Sequence, residues 1–196
     1  GVVSASVFLS LSSGPISACG VQIVSMVWER LTRRLTNRAI VLWSGIAAAY
    51  VTVSLFSSRT PFQVLISYVA LDPETAYGRV QIWHYGMLNV FRHPIFGLGL
   101  GLNDWQRPDW MSDSMDAFWL VPAVAYGLPA AFFLVSAVIW QCVRVARLRV
   151  RDPAIIRARL GWLISIGGLA VAGIAVHYWD AVFVWFMFLL GTSEWM

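Results

Sequence analysis

Between residues 39 and 57 the chain runs AIVLWSGIAAAYVTVSLFS without a charged side chain, and between 117 and 142 it does so again. At 1.5 Å of rise per residue, such runs as helices match the roughly 30 Å hydrocarbon thickness of a bilayer. Lipid offers no partner for an exposed peptide group, so a spanning segment must close its own hydrogen bonds as a helix or a sealed barrel. These runs are continuously apolar and do not alternate, which selects the helix. Composition agrees: 59% of the 196 residues are hydrophobic and 12% are charged, about half the roughly 25% usual in soluble domains. A disordered segment, a basic nucleic-acid-binding domain and an ordinary water-soluble fold are excluded. The expectation is an all-α integral membrane protein whose first partner is the lipid bilayer.

Other apolar stretches fill in the order of spans. Residues 1–11 read as the tail of a partial first span, and Ser12-Ser13-Gly14-Pro15 punctuates before a second stretch at 15–28. Spans follow at 39–57, 117–142, 160–176 and 182–191. The chain opens on Gly1 inside apolar sequence, without the basic region or cleavage site of a signal peptide. It therefore reads as part of a longer membrane protein whose earlier helices are absent. Cys19 and Cys142 lie in apolar surroundings without metal-ligand spacing and read as buried thiols.

Residues 58–116 stand apart. A structureless loop of about sixty residues would be unusual, so elements of its own are expected. Residues 62–70 form a short apolar run that re-enters or lies in the interface. Residues 76–91 set Val80, Trp83, Met87 and Val90 on one face, an amphipathic helix suited to the membrane plane. Gly97, Gly99 and Gly101 end regular structure.

Charge orients the whole. All fourteen basic residues are arginine; residues 29–38 hold four against one acid and residues 144–159 six against one, whereas 58–116 holds four against six acids. Short basic loops stay in the cytoplasm, so the long loop faces the opposite side. The two basic segments are separated by one span out and one back, which gives the same answer. The pI near 9.5 thus records topology and gives no sign of a nucleic-acid partner.

The candidate chemistry lies in that loop. Arg79 and Arg92, on one segment, can converge on a doubly charged anion, because guanidinium geometry suits phosphate; the alternative is that each snorkels or pairs with an acid. His93-Pro94 reads as a helix stop. Gly97, Gly99 and Gly101 lack the strand and spacing of a dinucleotide fingerprint but can form an anion-holding nest of amides. Asp116, at the mouth of the 117–142 span, is an N-cap, a partly desolvated general base, or both. Asp113 competes for that role. Trp83 and Trp119 support the site, and His177 and Asp180 approach it from the last hairpin or serve with Tyr178 and Trp179 as interface anchors. No cluster has metal-site spacing.

The stretches GRVQIWHYGMLNVFRHPIFGLGLGLNDW and DAFWLVPAVAYGLPAAFFL resemble the C-terminal region of the O-antigen ligase and polymerase family, bacterial inner-membrane proteins acting on undecaprenyl-diphosphate-linked glycans. The likeness extends over residues 5–190 and is most specific from Gly78 to Phe133. It implies a helical bundle of GT-C type with a large periplasmic loop over the active site, and glycosyl transfer without nucleotide sugar, metal or other cofactor. The family's loop arginine matches Arg79. Its catalytic histidine, eleven residues before a helix glycine, falls on Asp116 when counted back from Gly127. Histidine is thus replaced, and Ala117, Ser13 and Ala131 are further departures.

These differences favour a polymerase of O-antigen or exopolysaccharide repeats over a ligase. The scheme implied has Arg79 and Asp116 as catalytic residues, and Arg79, Arg92, His93, Gly97 and Gly99 around the diphosphate. A chain-length regulator or flippase are possible partners. From another class comes a non-enzymatic lipid-linked sugar transporter or assembly scaffold. Transporters place polar or broken helices at mid-membrane, whereas the 39–57 and 117–142 runs carry no charge.

Overall fold

The computed structural model describes residues 13–70, 73–99 and 104–195. Residues 1–12, where the partial first span was expected, and Gly101 lie outside them. Among the described residues seven α-helices run in order: α1 Ser13–Thr32, α2 Arg38–Phe56, α3 Pro61–Ala70, α4 Pro73–Arg92, α5 Leu120–Arg147, α6 Pro153–Ala172 and α7 Asp180–Thr192. A 3-10 turn, Ser193–Trp195, follows. The described residues contain no strand.

Local chemistry sets several boundaries. α6 starts seven residues before the expected 160, inside the arginine-rich segment, because Asp152 caps it. Its carboxylate accepts from the Ala154 amide at 2.7 Å and Pro153 occupies the first turn, where a missing N–H costs nothing. α5 starts at Leu120, three residues later than the apolar run. Trp119 stands at the N-cap position, so Asp116 is not the cap. The amphipathic helix expected at 76–91 is α4, extended to Pro73 and Arg92.

The run read as one uninterrupted span at 117–142 is broken. Gly127 has φ 86° and ψ 176° inside α5, a conformation essentially confined to glycine. Pro129 has no N–H for the Ala125 carbonyl, and the Leu128 amide turns away to the Pro94 carbonyl at 2.7 Å. The Val124 and Ala125 carbonyls thereby lose their helical donors. Both are recovered from the turn after α4: Leu98 N donates to Val124 O and Gly99 N to Ala125 O, each at 2.8 Å. Glycine is required on both sides of this contact. A Cβ on Gly127 would lie 2.2 Å from the Ile95 carbonyl oxygen, and one on Gly97, at φ 64°, would lie 2.5 Å from the Ala125 carbonyl.

Two apolar clusters hold the rest. One joins α4, the 104–118 segment and the first turns of α5 through Val90, Trp105, Met115, Leu120 and Val124. The other joins α5, α6 and α7 through Phe118, Val138, Trp162, Ile166, Tyr178 and Phe186. α1 lies along α6, and α3 packs on α4.

Among the described residues two helices, Leu120–Arg147 and Pro153–Ala172, are long and apolar enough to cross a membrane. A third candidate is the pair Ile40–Phe56 and Pro61–Tyr68, bent by 106°. The expected span at 39–57 falls on the first helix of this pair, and α2 as a whole, Arg38–Phe56, has 19 residues. α7 has 13 residues, about 20 Å of helix, and falls short of a crossing at 182–191. α1, with Glu29 and Arg30 in its last turns, is not among the candidate spans of the described residues. Ile40, Trp43, Leu55 and Phe56 on α2, and Phe132, Phe133 and Trp140 on α5, stand open. An apolar surface of this extent fits lipid or protein contact better than water. The chain is an all-helical, membrane-associated fold.

Gly127→Ala combines a forbidden backbone conformation with a backbone clash. It is expected to cost roughly 2–4 kcal/mol, read as a clear drop in the thermal midpoint in detergent. Gly161→Ala, in α6 with nothing near its added Cβ, should leave the midpoint unchanged or raise it.

Candidate functional site

The site is assembled by side chains that anchor loops to helices. Asn89, almost fully buried on α4, donates from Nδ2 to the Gln106 carbonyl at 3.0 Å and accepts from the Gln106 amide at 2.9 Å. This clasp lays the 104–118 segment along α4. Within the segment Trp105 Nε1 donates to the Asp113 carbonyl at 3.1 Å, and Arg107 pairs with the Asp113 carboxylate. The 173–179 connection between α6 and α7 is held from two sides. Trp83 Nε1 on α4 donates to Ile174 O at 2.7 Å, and Phe118 N donates to Val176 O at 3.2 Å. Trp119 Nε1 donates to Ala170 O at 2.8 Å, and Tyr178, its hydroxyl bonded to Leu169 O, stacks on Phe118 at 4.2 Å.

These anchors bring three ionisable groups together from three separate segments. Arg79 precedes Trp83 by one turn of α4 on the same face, Asp116 lies two residues before Phe118, and His177 follows Val176. Burial lowers the Arg79 pKa, and the negative charge of Asp116 opposes that shift. Burial likewise lowers the His177 pKa, again opposed by Asp116. Asp116 is half-buried and accepts from Ser114 Oγ at 2.7 Å. The Nδ1 atom of His177 is buried and has no hydrogen-bond partner among the described residues. A guanidinium, a carboxylate and an imidazole thus share one electrostatic environment.

An apolar cleft of about 570 Å³ opens beside them, between the first part of α5 and α7. Phe118, Pro122, Tyr126, His177, Phe183 and Met187 are among its walls. Asp180 also lines it, at the start of α7 with φ 34°, a left-handed conformation that Asp tolerates better than most residues. The location is the end of the bundle remote from the arginine-rich segments: α6 runs from Pro153 in one of those segments to Ala172 beside the site.

The other expected site residues are distributed differently. Arg92 is thirteen positions beyond Arg79 on one continuous helix, about 20 Å along the axis. The two cannot grip one diphosphate, and the expected convergence fails for that reason. His93 follows Arg92 and is exposed like it. The backbone amides of Gly97 and Gly99 are already bonded, to His93 O at 3.0 Å and Ala125 O at 2.8 Å. This turn therefore offers no anion nest, and its glycines serve the contact with α5. Asp113 is exposed and engaged with Arg107, which makes it a brace of the loop. Trp83 and Trp119 donate to the Ile174 and Ala170 carbonyls, at the end of α6 and just beyond it.

Asn89 and Ser114 escaped the sequence reading. A neutral amide inside an amphipathic helix gives no sign of which loop it will hold. Cys19 and Cys142 are half-buried free thiols.

The chain matches no protein-family model, no curated protein and no solved structure.

The coupling of His177 to Asp116 has a direct readout. The chain has three histidines, so imidazole NMR titration in detergent can follow each. His177 should titrate below the ordinary value of about 6.5, and Asp116→Asn should lower it further, since the opposing negative charge is gone. A His177 resonance unaffected by Asp116→Asn would break up the cluster.

Proposed function

We propose that the protein polymerises undecaprenyl-diphosphate-linked oligosaccharide repeat units, of O-antigen or exopolysaccharide type, at the periplasmic face of the bacterial inner membrane. On this reading the bundle is of GT-C type and residues 58–116 form the periplasmic loop. The observation that carries the proposal is the meeting of Arg79, Asp116 and His177 at the end of the bundle away from the arginine-rich segments. The resemblance in sequence gives the substrate class. The apolar cleft beside the cluster supports a donor that arrives on a lipid.

The chemistry requires one acid–base group and one cation. An acceptor hydroxyl oxygen attacks the anomeric carbon of the donor sugar, and the bond from that carbon to the diphosphate oxygen breaks. Undecaprenyl diphosphate leaves with the bonding electrons. Arg79 stabilises the charge growing on the diphosphate; its partial burial strengthens that attraction by excluding water. Asp116 takes the hydroxyl proton as the new glycosidic bond forms. His177, beside the carboxylate, supports it: an imidazole that is neutral near pH 7 leaves Asp116 as the charged group that meets the proton. Attack opposite the leaving group inverts the anomeric centre.

In cells lacking the gene, single repeat units should accumulate on undecaprenyl diphosphate and long surface chains should disappear. Wild-type complementation should restore the chains. Arg79→Ala should reduce polymer by roughly 10²–10³-fold and Asp116→Ala by roughly 10²–10⁴-fold, as read by gel and mass spectrometry of the lipid-linked pool. Long chains made but left unattached would mean ligation, and normal pools in the deletion strain would refute both.

A further inference from the structure

The arginine-rich end of the bundle carries a second feature, unrelated to the cluster above. α1 and α6 lie side by side, and where α1 ends a groove of about 600 Å³ opens between them. Its floor is apolar, from Ile23, Met26, Val27 and Leu160, and its rim is cationic, from Arg30 and Arg33. Arg157 stands one turn before Leu160 on α6, on the same side. Glu29 also reaches the groove, but its carboxylate is drawn to Arg38 at 3.7 Å. No salt bridge to Arg30 or Arg33 occurs among the described residues. On the other flank of α1 a second groove, of about 400 Å³, runs between Trp28, Leu42 and Leu163. The last two turns of α1 thus have an apolar channel on each side and cations at the top.

This pattern has one natural occupant. Headgroup and acyl chain of a phospholipid demand charge at the rim and hydrocarbon below, in that vertical order, at the end of membrane-embedded helices. Arginine is suited to the phosphate oxygens because its planar fork donates two parallel hydrogen bonds. The geometry points to a specific site for an anionic glycerophospholipid in the α1–α6 groove, its phosphate held by Arg30 and Arg33 and an acyl chain laid over Ile23, Val27 and Leu160. Charge complementarity decides the lipid class, since a zwitterionic headgroup brings its own cation against two arginines. The site does not depend on the proposed polymerase activity.

The test is native mass spectrometry of the full chain released from neutral detergent, with phosphatidylglycerol or phosphatidylcholine added. Wild type should retain phosphatidylglycerol at least about tenfold better, a margin in keeping with two arginines at a membrane surface. Arg30→Gln with Arg33→Gln should remove that preference. Arg149→Gln with Arg151→Gln, which takes the same charge from the α5–α6 connection, should keep it. Val27→Trp should fill the groove and abolish retention while leaving every charge in place. Equal retention of the two lipids would overturn the site, and so would equal loss in both arginine pairs, which would mean diffuse attraction to the whole basic end. A dimer that Val27→Trp dissolves would also overturn it, assigning the groove to a second copy of the chain.

Discussion

A helix that breaks within an apolar segment leaves carbonyl groups that water cannot reach, and the structure depends on how α5 resolves this. Gly127 and Pro129 together remove the donors of Val124 and Ala125, and the Leu98 and Gly99 amides replace them. The exchange is reciprocal, since Leu128 gives its amide to Pro94. Each of these groups left unsatisfied would cost about 1–3 kcal/mol. The contact therefore fixes the turn after α4 against α5 more firmly than side-chain packing alone, and it explains why both strands of backbone carry glycine at the crossing.

From that fixed point the rest of the site follows. With the end of α4 docked on α5, Asn89 holds the 104–118 segment along the same helix, and Trp83 and Phe118 hold the 173–179 connection. Arg79, Asp116 and His177 are carried into one environment by these backbone-directed bonds. Cluster and apolar cleft are adjacent because Phe118 serves both, packing on Tyr178 and walling the cleft.

The helical class was legible because uncharged runs are an unambiguous signal, and α4 was legible from the spacing of Val80, Trp83, Met87 and Val90. The glycine pattern around residues 97–101 and the Tyr126-Gly127 pair stood out as well, but their physical meaning did not. A sequence shows that glycine is present and cannot show that the backbone at Gly97 lies against Ala125 or that at Gly127 against Ile95. The break in α5 was hidden for a related reason: Gly127 and Pro129 are both tolerated in spans, and nothing local tells a kink from a straight helix. Arg92 misled because two arginines on one segment invite convergence, yet a continuous helix separates them. His177 gained weight once the anchoring of Ile174 and Val176 brought its loop to Asp116, a contact across some sixty residues that composition and spacing do not encode.

The most direct test of this account is residue-resolved amide hydrogen exchange in detergent at Leu98, Gly99 and Leu128. If the turn and the break in α5 supply each other's hydrogen bonds, all three amides will exchange as slowly as those in the middle of α4, and Gly127→Ala will release them together. Exchange at the rate of an open turn in the wild-type protein, with α4 still protected, would contradict the interlock and with it the positioning of the site.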